Sequence, residues 1–532
     1  FQPGKYAYLY GICEIKFAQK QISVEDYEIV NDYSDNTEFF NKILPIYDLT
    51  AGISQKILMS ASKSVISEVS AFYPDIISEI QSLKNNFNIM PVNQAVKTIH
   101  FPKTLQEAEL ARQSFAMQEF LILQIMLLIS KNKNQIKKKI QTYEIKKTLL
   151  TSFKNKLPFE FTKSQKKAIN EIFSDMKSGT VMNRMLMGDV GSGKTVVALS
   201  AILLAVENGY QAVIVSPTEI LAEQHYLTFK NMLTGLDVEI ELITSSTLKT
   251  KKKRDEMLSN ISGGKTNIII GTHSVMQDRV QFKNISLVVI DEQHRFGVMQ
   301  KVSALSKGAT ADILMMTATP IPRGLAMTIY GEMTMSVIDE LPPNRTPVET
   351  SCVSEHCAYA AALKETARGG QVYIVYPLID ESDKIELKSA VKQAETLSKT
   401  VFKNNKVALL HGKMETKEKN EIMISFKNKK FDILISTTVI EVGIDVPNAT
   451  MIIIQHADRY GLATLHQLRG RVGRGSKKSY CLLISDSRSK NARQRLKIIT
   501  ENTDGFKIAS EDLKMRGPGE FTGTKQHGFP EF

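Results

Sequence analysis

Gly188-Asp-Val-Gly-Ser-Gly-Lys194-Thr195 stands between the apolar run Met185–Met187 and a helical stretch, Thr195–Glu207. It matches G-x-x-x-x-G-K-[ST] in the context that pattern requires, a strand before and a helix after. The residue types follow from the chemistry. Gly188, Gly191 and Gly193 let the backbone curl, so that N–H groups from Asp189 through Ser192 onward face phosphate at a helix N-terminus. Lys194 then reaches the β- and γ-phosphates, and the Thr195 hydroxyl ligates Mg²⁺. The stretch therefore predicts an ATP·Mg²⁺ site on an open α/β sheet.

Outward from this loop, short β-branched runs alternate with helices. Met185–Met187, Ala212–Val215, Asn267–Ile270, Leu287–Ile290 and Ile313–Met316 read as strands, with Glu219–Met232 a helix among them. Such alternation argues a parallel sheet covered on both faces. A Pro-containing joint, Leu341–Pro347, follows, and the alternation restarts with Val372–Val375, Val407–Leu410, Ile433–Ser436, Met451–Ile454 and Tyr480–Ile484. Two successive α/β units result. In the first, Leu287-Val-Val-Ile290 ends in Asp291-Glu292-Gln293-His294, at the strand edge where open α/β sheets bind ligands. Asp291 is expected to hold the metal and Glu292 to orient and deprotonate the attacking water. Gln293 and His294 either couple nucleotide state to the neighbouring lobe or bond locally. In the second unit, Gln467-Leu-Arg-Gly-Arg471-Val-Gly-Arg474 presents two guanidinium groups three residues apart, a spacing that shares one face of a helical turn. Aimed at a γ-phosphate they would make hydrolysis depend on lobe closure; a phosphate-backbone site on nucleic acid is the competing reading.

Composition is ordinary for a globular chain of 532 residues, 42% hydrophobic and 23% charged, which excludes a disordered or collagen-like protein. The net charge of +12 is compatible with a polyanionic partner. Four scattered cysteines, Cys13, Cys352, Cys357 and Cys481, give no disulfide framework and suggest a reducing compartment. Cys352, His356 and Cys357 lack the further ligands that a zinc site needs. No apolar stretch is long enough to span a bilayer, and no secretory signal opens the chain. Residues 1–50 read as strand-rich, with Lys5–Phe17 and Tyr27–Val30 as candidate strands, and Tyr8, Tyr10 and Phe17 as core or strand-face residues, with base-stacking platforms the competing reading. From Ser54 to about Tyr143 the period is helical, clearest over Ala108–Ser130. Nine lysines against Glu144 fall between Lys131 and Lys156, as a solvated helix face or linker or as a polyanion-facing surface. Lys249–Arg254 reads as a solvated loop or a phosphate contact, and Phe153 and Phe159 as packing anchors, with a nucleobase stacker or adenine brace the competing reading. The chain opens at Phe1, not at methionine, so a fragment is expected.

Taken together, these segments resemble superfamily 2 helicases, and specifically the RecG family of branched-DNA helicases. Phe161-Thr162 and Gln165 resemble the adenine-reading segment. Ser216-Pro-Thr-Glu-Ile-Leu-Ala-Glu-Gln-His225 and Gly271-Thr-His-Ser274 are similar to the first-lobe strand contacts, and Thr317-Ala-Thr319-Pro-Ile-Pro-Arg323 to the coupling motif. His411-Gly-Lys-Met414 and Ser436-Thr-Thr-Val-Ile-Glu-Val-Gly443-Ile-Asp445 resemble the second-lobe motifs. Asp291-Glu-Gln-His-Arg-Phe-Gly297 and the tail from Asp512 through Arg516 to Gln526 point to RecG, the tail being shared with the transcription-repair coupling factor. Leu44–Thr50 and Ile99–Thr104 through Arg112 resemble the RecG linker, where the coupling factor would carry a different module.

The resemblance implies a division at 1–50 (part of an OB-fold wedge), 51–150 (helical linker), 151–345 and 346–485 (tandem RecA-like parallel-sheet lobes) and 486–532 (helical-hairpin translocation motif). It makes Arg471 and Arg474 arginine-finger candidates and places Gly443 and Asp445 near the nucleotide. His294, Thr317, Thr319 and Gln467 become coupling residues, and Arg516 and Gln526 transmitters of closure to duplex DNA. It implies an ATP- and Mg²⁺-dependent DNA helicase, in the bacterial cytoplasm at the nucleoid, acting on replication forks and Holliday junctions. Single-strand-binding protein is an expected partner, no membrane is expected, and a monomer is the default. Ser23–Tyr27 departs from the family's wedge sequence, the wedge's beginning is expected to be missing before Phe1, and the closing helices after Phe532. A transcription-repair translocase is the nearer alternative and an RNA helicase another. A module using ATP only as a structural ligand has no use for Glu292 beside two arginines.

Overall fold

The structure, a computed structural model, describes residues 5–16, 19–31, 40, 42–50, 52–72, 88–135, 139–244, 247, 251–277, 279–291, 311–317, 333–342, 346–377, 393–412, 414–437, 446–475, 477–487 and 489–516. Two compact units divide the chain, residues 1–127 and 128–531.

In the first unit, β1 (Tyr6–Lys16) and β2 (Gln19–Val30) pair antiparallel, with a bulge between Tyr10 and Gly11. A Cβ on Gly11 would lie 2.1 Å from the Ser23 carbonyl oxygen, so only glycine permits this approach. Tyr10 is on the strand face, 63% exposed, Tyr8 packs near Phe40, and Phe17 lies outside the described residues. Helices α1 (Gln55–Phe72), α2 (Val92–His100) and α3 (Leu105–Gln135) realise the helical period. Met90, Ala95 and Ala111 form a small core there, and Tyr47 Oη bonds His100 Nδ1 at 2.6 Å.

The second unit opens with α4 (Leu149–Lys156) and α5 (Lys163–Lys177). Its first lobe then runs β3 (Asn183–Gly188), α6 (Lys194–Glu207), β4 (Gln211–Val215), α7 (Glu219–Met232), β5 (Ile240–Ile243), α8 (Lys251–Gly263), β6 (Ile268–Gly271), β7 (Ile285–Asp291), β8 (Asp312–Thr317) and β9 (Thr334–Ile338). These seven strands form one parallel sheet in the order β5-β6-β4-β7-β8-β3-β9. The second lobe runs β10 (Glu349–Cys352), α9 (Glu355–Ala367), β11 (Gln371–Tyr376), β12 (Val407–Leu410), α10 (Thr416–Lys427), β13 (Ile433–Thr437), β14 (Ala449–Ile454), α11 (Leu462–Arg469) and β15 (Tyr480–Leu483). Its sheet, also parallel, has the order β10-β15-β14-β11-β13-β12. Two more helices follow, α12 (Lys490–Glu501) and α13 (Gly505–Arg516).

Continuous apolar strands produce a core on each face of each sheet. Along β7, Leu287 and Val289 enter one cluster, and Val288 and Ile290 the opposite one. Both lobes secure the start of one interior strand, β4 or β11, in the same way. Gln211 Nε2 donates to the carbonyls of Ile261 and Thr266 at 2.9 and 2.8 Å, and Gln371 Nε2 to those of Phe426 and Phe431, both at 2.7 Å. Every strand expected from the β-branched runs is present. Three more, β5, β9 and β10, are interrupted by Glu, Ser or Thr and lack the apolar runs that marked the rest.

Two expectations need correction. Lys139 is neither on a solvated face nor facing a polyanion: its Nζ is 3.2 Å from Asp312 Oδ2, with both side chains 1% exposed. Charge counting along the sequence cannot reveal a partner 173 positions away. The cluster Lys251–Arg254 opens α8 instead of forming a loop, and Arg254 pairs with Asp255 at 3.3 Å. Phe153 is a packing anchor, 1% exposed, whereas Phe159 is 38% exposed.

Candidate active site

β7, β8 and β3 are neighbours in a parallel sheet, so their C-terminal ends lie side by side. That brings Asp291, the last residue of β7, and Thr317, the last of β8, to the edge from which the phosphate loop leaves β3 at Gly188. Such an edge is where open α/β sheets bind ligands.

The loop is built as its glycines require. Gly191 and Gly193 have φ of 77° and 86°, a region open to glycine at little cost. A Cβ on Gly188 would fall 2.5 Å from Ser192 Oγ, and one on Gly193 2.4 Å from Gln165 Nε2. Gly193 is the N-cap of α6, whose residues from Val196 to Glu207 are buried, so the helix N-terminus is rigidly aimed at the loop. Lys194 Nζ donates to the carbonyls of Gly188 and Asp189 at 2.8 and 2.9 Å, and Thr195 is half-buried beside it. Ser192 is 1% exposed, and its Oγ has no hydrogen-bond partner among the described residues. A glycine cradle at a helix N-terminus, with a lysine and an unpartnered hydroxyl, is a donor set suited to a nucleotide polyphosphate and its metal.

Gln165 is drawn into the architecture of the loop. It closes a capping box with Thr162 at the start of α5, and its Nε2 donates to the Ser192 carbonyl at 2.8 Å. Both ends of its amide are thus engaged, and the residue is 2% exposed.

Two histidines that the sequence reading gave no part in the ATP site grip its acidic residues. His225, on α7, lies with Nε2 2.7 Å from Asp291 Oδ2. His466, on α11 of the second lobe, places Nε2 2.5 Å from Asp189 Oδ1 in the phosphate loop. Arginine can only donate, so the 2.8 Å bond from Arg469 Nη2 falls on a lone pair of His466 Nδ1; Nε2 therefore carries the proton and donates to Asp189. Burial of the Asp189 carboxyl opposes ionisation, but the bonds from His466 and the Val190 N–H, with Lys194 nearby, hold it below the usual carboxylate range. Arg469 is itself buried, which lowers its pKa, and it donates to the carbonyls of Ile499, Asn502 and Thr503 at 2.9, 2.7 and 3.0 Å. Both His466 and Arg469 flank Gln467 in the second-lobe segment, which was the only sequence signal available for them.

The lobes also meet at Gly470, where a Cβ would stand 3.0 Å from Val190 Cβ. Gln467 is half-buried on α11. Arg471 and Arg474 do not share a helical face. α11 ends at Arg469, Arg471 N–H donates to Leu468 O in a tight turn, and Gly473 at φ 76° redirects the chain before Arg474, whose Nε donates to Gly470 O. A three-residue spacing reports a shared face only while the helix continues. Glu292, His294, Thr319, Gly443, Asp445 and Gln526 lie outside the described residues, as does the side chain of Arg516 at the end of α13. Among the described residues no helix is long and apolar enough to cross a membrane.

The chain matches the family model of the DEAD/DEAH box helicases over residues 162–328 and that of the helicase conserved C-terminal domain over 355–476. It is 43% identical over 513 residues to the ATP-dependent DNA helicase RecG of Synechocystis sp., covering 95% of this chain and 61% of that one. With RecG of Streptococcus pneumoniae it shares 46% identity over 495 residues, 92% of this chain and 72% of the relative. A solved structure of RecG bound to a three-way DNA junction superposes with a TM-score of 0.78 at 40% identity, over 98% of this chain and 68% of the other. With two parallel-sheet RecA-like lobes meeting at a phosphate loop, and this identity along nearly its whole length, the chain belongs to the RecG family of ATP-dependent DNA helicases.

Proposed function

We propose that this chain is the motor of an ATP-driven machine that regresses stalled replication forks and branch-migrates Holliday junctions in recombination and repair. The observation that carries the reading is the lobe contact at the phosphate loop itself: Asp189 bonded to His466, and Val190 packed against Gly470. Nucleotide chemistry and lobe position are then mechanically one event. Support for branched DNA comes from the RecG relative solved on a three-way junction.

ATP is the substrate, and bound Mg²⁺ would neutralise charge building up on the transferring phosphoryl group. Lys194 and the N–H groups from Gly188 to Gly193 bind the phosphates. Thr195 and Asp291 would hold the ion. Glu292 accepts the proton of the attacking water. Arg471 and Arg474 meet the transferring group from the second lobe. Gln165 braces the loop beside the base, and Gly443 and Asp445 border the nucleotide. His294, Thr317, Thr319 and Gln467 carry the change between lobes, and Arg516 and Gln526 pass it to duplex DNA. The five-part division at 50, 150, 345 and 485 would separate wedge, linker, two lobes and translocation motif. The chain would act as a monomer in the bacterial cytoplasm at the nucleoid, with single-strand-binding protein as a partner.

Steady-state ATP hydrolysis with no DNA, single strand, linear duplex and a synthetic three-way junction tests this, beside Lys194→Ala and Arg474→Ala. The junction should stimulate most, and both variants should lose the stimulation. Equal stimulation by plain duplex would point to a general translocase, and unimpaired hydrolysis in Lys194→Ala would remove the motor assignment.

A further inference from the structure

His225 closes the segment Ser216–His225, which resembles a DNA-strand contact, yet its ring turns inward to Asp291. The topology explains why. β4 and β7 are adjacent and parallel, so α7, which follows β4, begins beside the C-terminal end of β7. α7 is fixed at its start by Thr218, whose side chain accepts from the Leu221 N–H. Two turns on, His225 reaches down from the helix to the strand end, 7% exposed. Phe229, one turn further and fully buried, lies edge-on to the imidazole with centroids 6.1 Å apart at 62°. The ring is thus held by packing on one side and by Asp291 on the other. An ionised carboxylate only accepts, so Nε2 carries the proton and donates to Oδ2 at 2.7 Å.

We propose that His225 is the positioning residue of the divalent-cation site: it fixes the Asp291 carboxylate by engaging Oδ2, leaving Oδ1 as the oxygen available to the ion's hydration shell. The inference rests on the reading of Asp291 as the metal-holding residue. A carboxylate left to rotate would lose part of the orientation that makes it a metal ligand. Groups of this outer kind typically contribute ten- to a hundred-fold in metal affinity. His225 also makes α7 continuous with the metal site, so a load on that helix would be felt at Asp291.

The test is binding, independent of turnover. Mn²⁺ affinity of the chain with ADP is read from the free-ion electron paramagnetic resonance signal, and metal-free nucleotide affinity from a fluorescent ADP analogue in chelator. Wild type is compared with His225→Phe, which keeps an aromatic ring but has no N–H, His225→Gln, which restores an N–H at the Nε2 position, and Asp291→Asn. We expect His225→Phe to weaken Mn²⁺ binding by roughly tenfold or more, His225→Gln to recover most of it, and metal-free nucleotide binding and melting temperature to stay near wild type. Wild-type Mn²⁺ affinity in a folded His225→Phe, beside a weakened Asp291→Asn, overturns the proposal alone. An equal loss of metal-free nucleotide binding in His225→Phe also overturns it, leaving His225 a scaffold residue. If Asp291→Asn binds Mn²⁺ as wild type does, the proposal falls together with the metal reading of Asp291.

Discussion

Lys139 and Asp312 show how much a single buried pair can decide. Lys139 Nζ lies 3.2 Å from Asp312 Oδ2 and sits 5.0 Å from the Tyr143 ring centre, while Asp312 Oδ1 accepts the Met182 N–H at 2.7 Å. Burial pushes the Asp312 carboxyl up to about 6, with Lys139 pulling it back down. Because the folded value exceeds the unfolded one, this group's stabilising contribution is full below about pH 4. It is lost as pH rises through the folded value near 6. Removing the cation in Lys139→Met should raise the folded value further and cost about 3 kcal/mol near pH 8. The deficit should shrink toward pH 5, where Asp312 is neutral; thermal melts across that range would show it, and a pH-independent deficit would contradict it. Gly470 is the second decisive residue. Gly470→Ala drives a methyl to 3.0 Å from Val190 Cβ and Cγ1. An overpacking strain of about 1–3 kcal/mol placed on the phosphate loop should lower ATP turnover about tenfold. The melting temperature should move little, because the strain lies at a contact between lobes and not in either core.

Among the elements, α5 has two tasks that can be separated. Its capping box joins Thr162 to Gln165, and the Gln165 amide also reaches the Ser192 carbonyl. Thr162→Ala and Gln165→Ala should each weaken the helix start by about 1 kcal/mol. Only Gln165→Ala removes the brace on the loop, so only it should raise the KM for ATP severalfold while kcat holds; equal KM values in the two variants would rule the brace out. The joint between α12 and α13 depends on the Arg469 fork, whose bonds to Ile499, Asn502 and Thr503 tie the end of α12 and the connector that follows it to α11. Lysine keeps the charge but cannot fork. Arg469→Lys should therefore reduce junction unwinding per ATP consumed, by about tenfold if the joint carries the coupling. A proportional fall of both rates would make Arg469 a scaffold residue only.

Across the whole motor unit, α13 is packed into both lobes at once. Phe506 lies against the first-lobe cluster of Met185, Val213 and Ile290, while Ile508 and Met515 join the second-lobe cluster of Val375, Leu434 and Ile454. Any change in lobe separation must therefore shift or strain this helix, which leads directly toward the tail residues proposed to hold duplex. The chain's net charge of +12 adds a long-range attraction to DNA. Junction affinity should fall steeply as salt rises, linearly in a double-logarithmic plot. The position of α13 between the lobes should make the slope nearly the same with and without Arg469→Lys, since that residue contacts protein carbonyls and not phosphate.

The two parallel sheets, the phosphate loop and the place of Asp291 are legible in the chain alone, because each is written in a contiguous run whose period and residue types have one physical reading. Continuous apolar strands must be covered on both faces, and a Gly-rich turn between strand and helix must expose N–H groups. The contacts that packing adds join residues far apart along the chain. His225 to Asp291, His466 to Asp189, Lys139 to Asp312 and the Arg469 fork each join residues that no local period relates. That Arg471 and Arg474 do not share a helical face is a local matter instead, fixed by where α11 stops and Gly473 turns. Periodicity carries the direction in which an element points its side chains, but which polar group it meets there is fixed only when the sheets and helices pack.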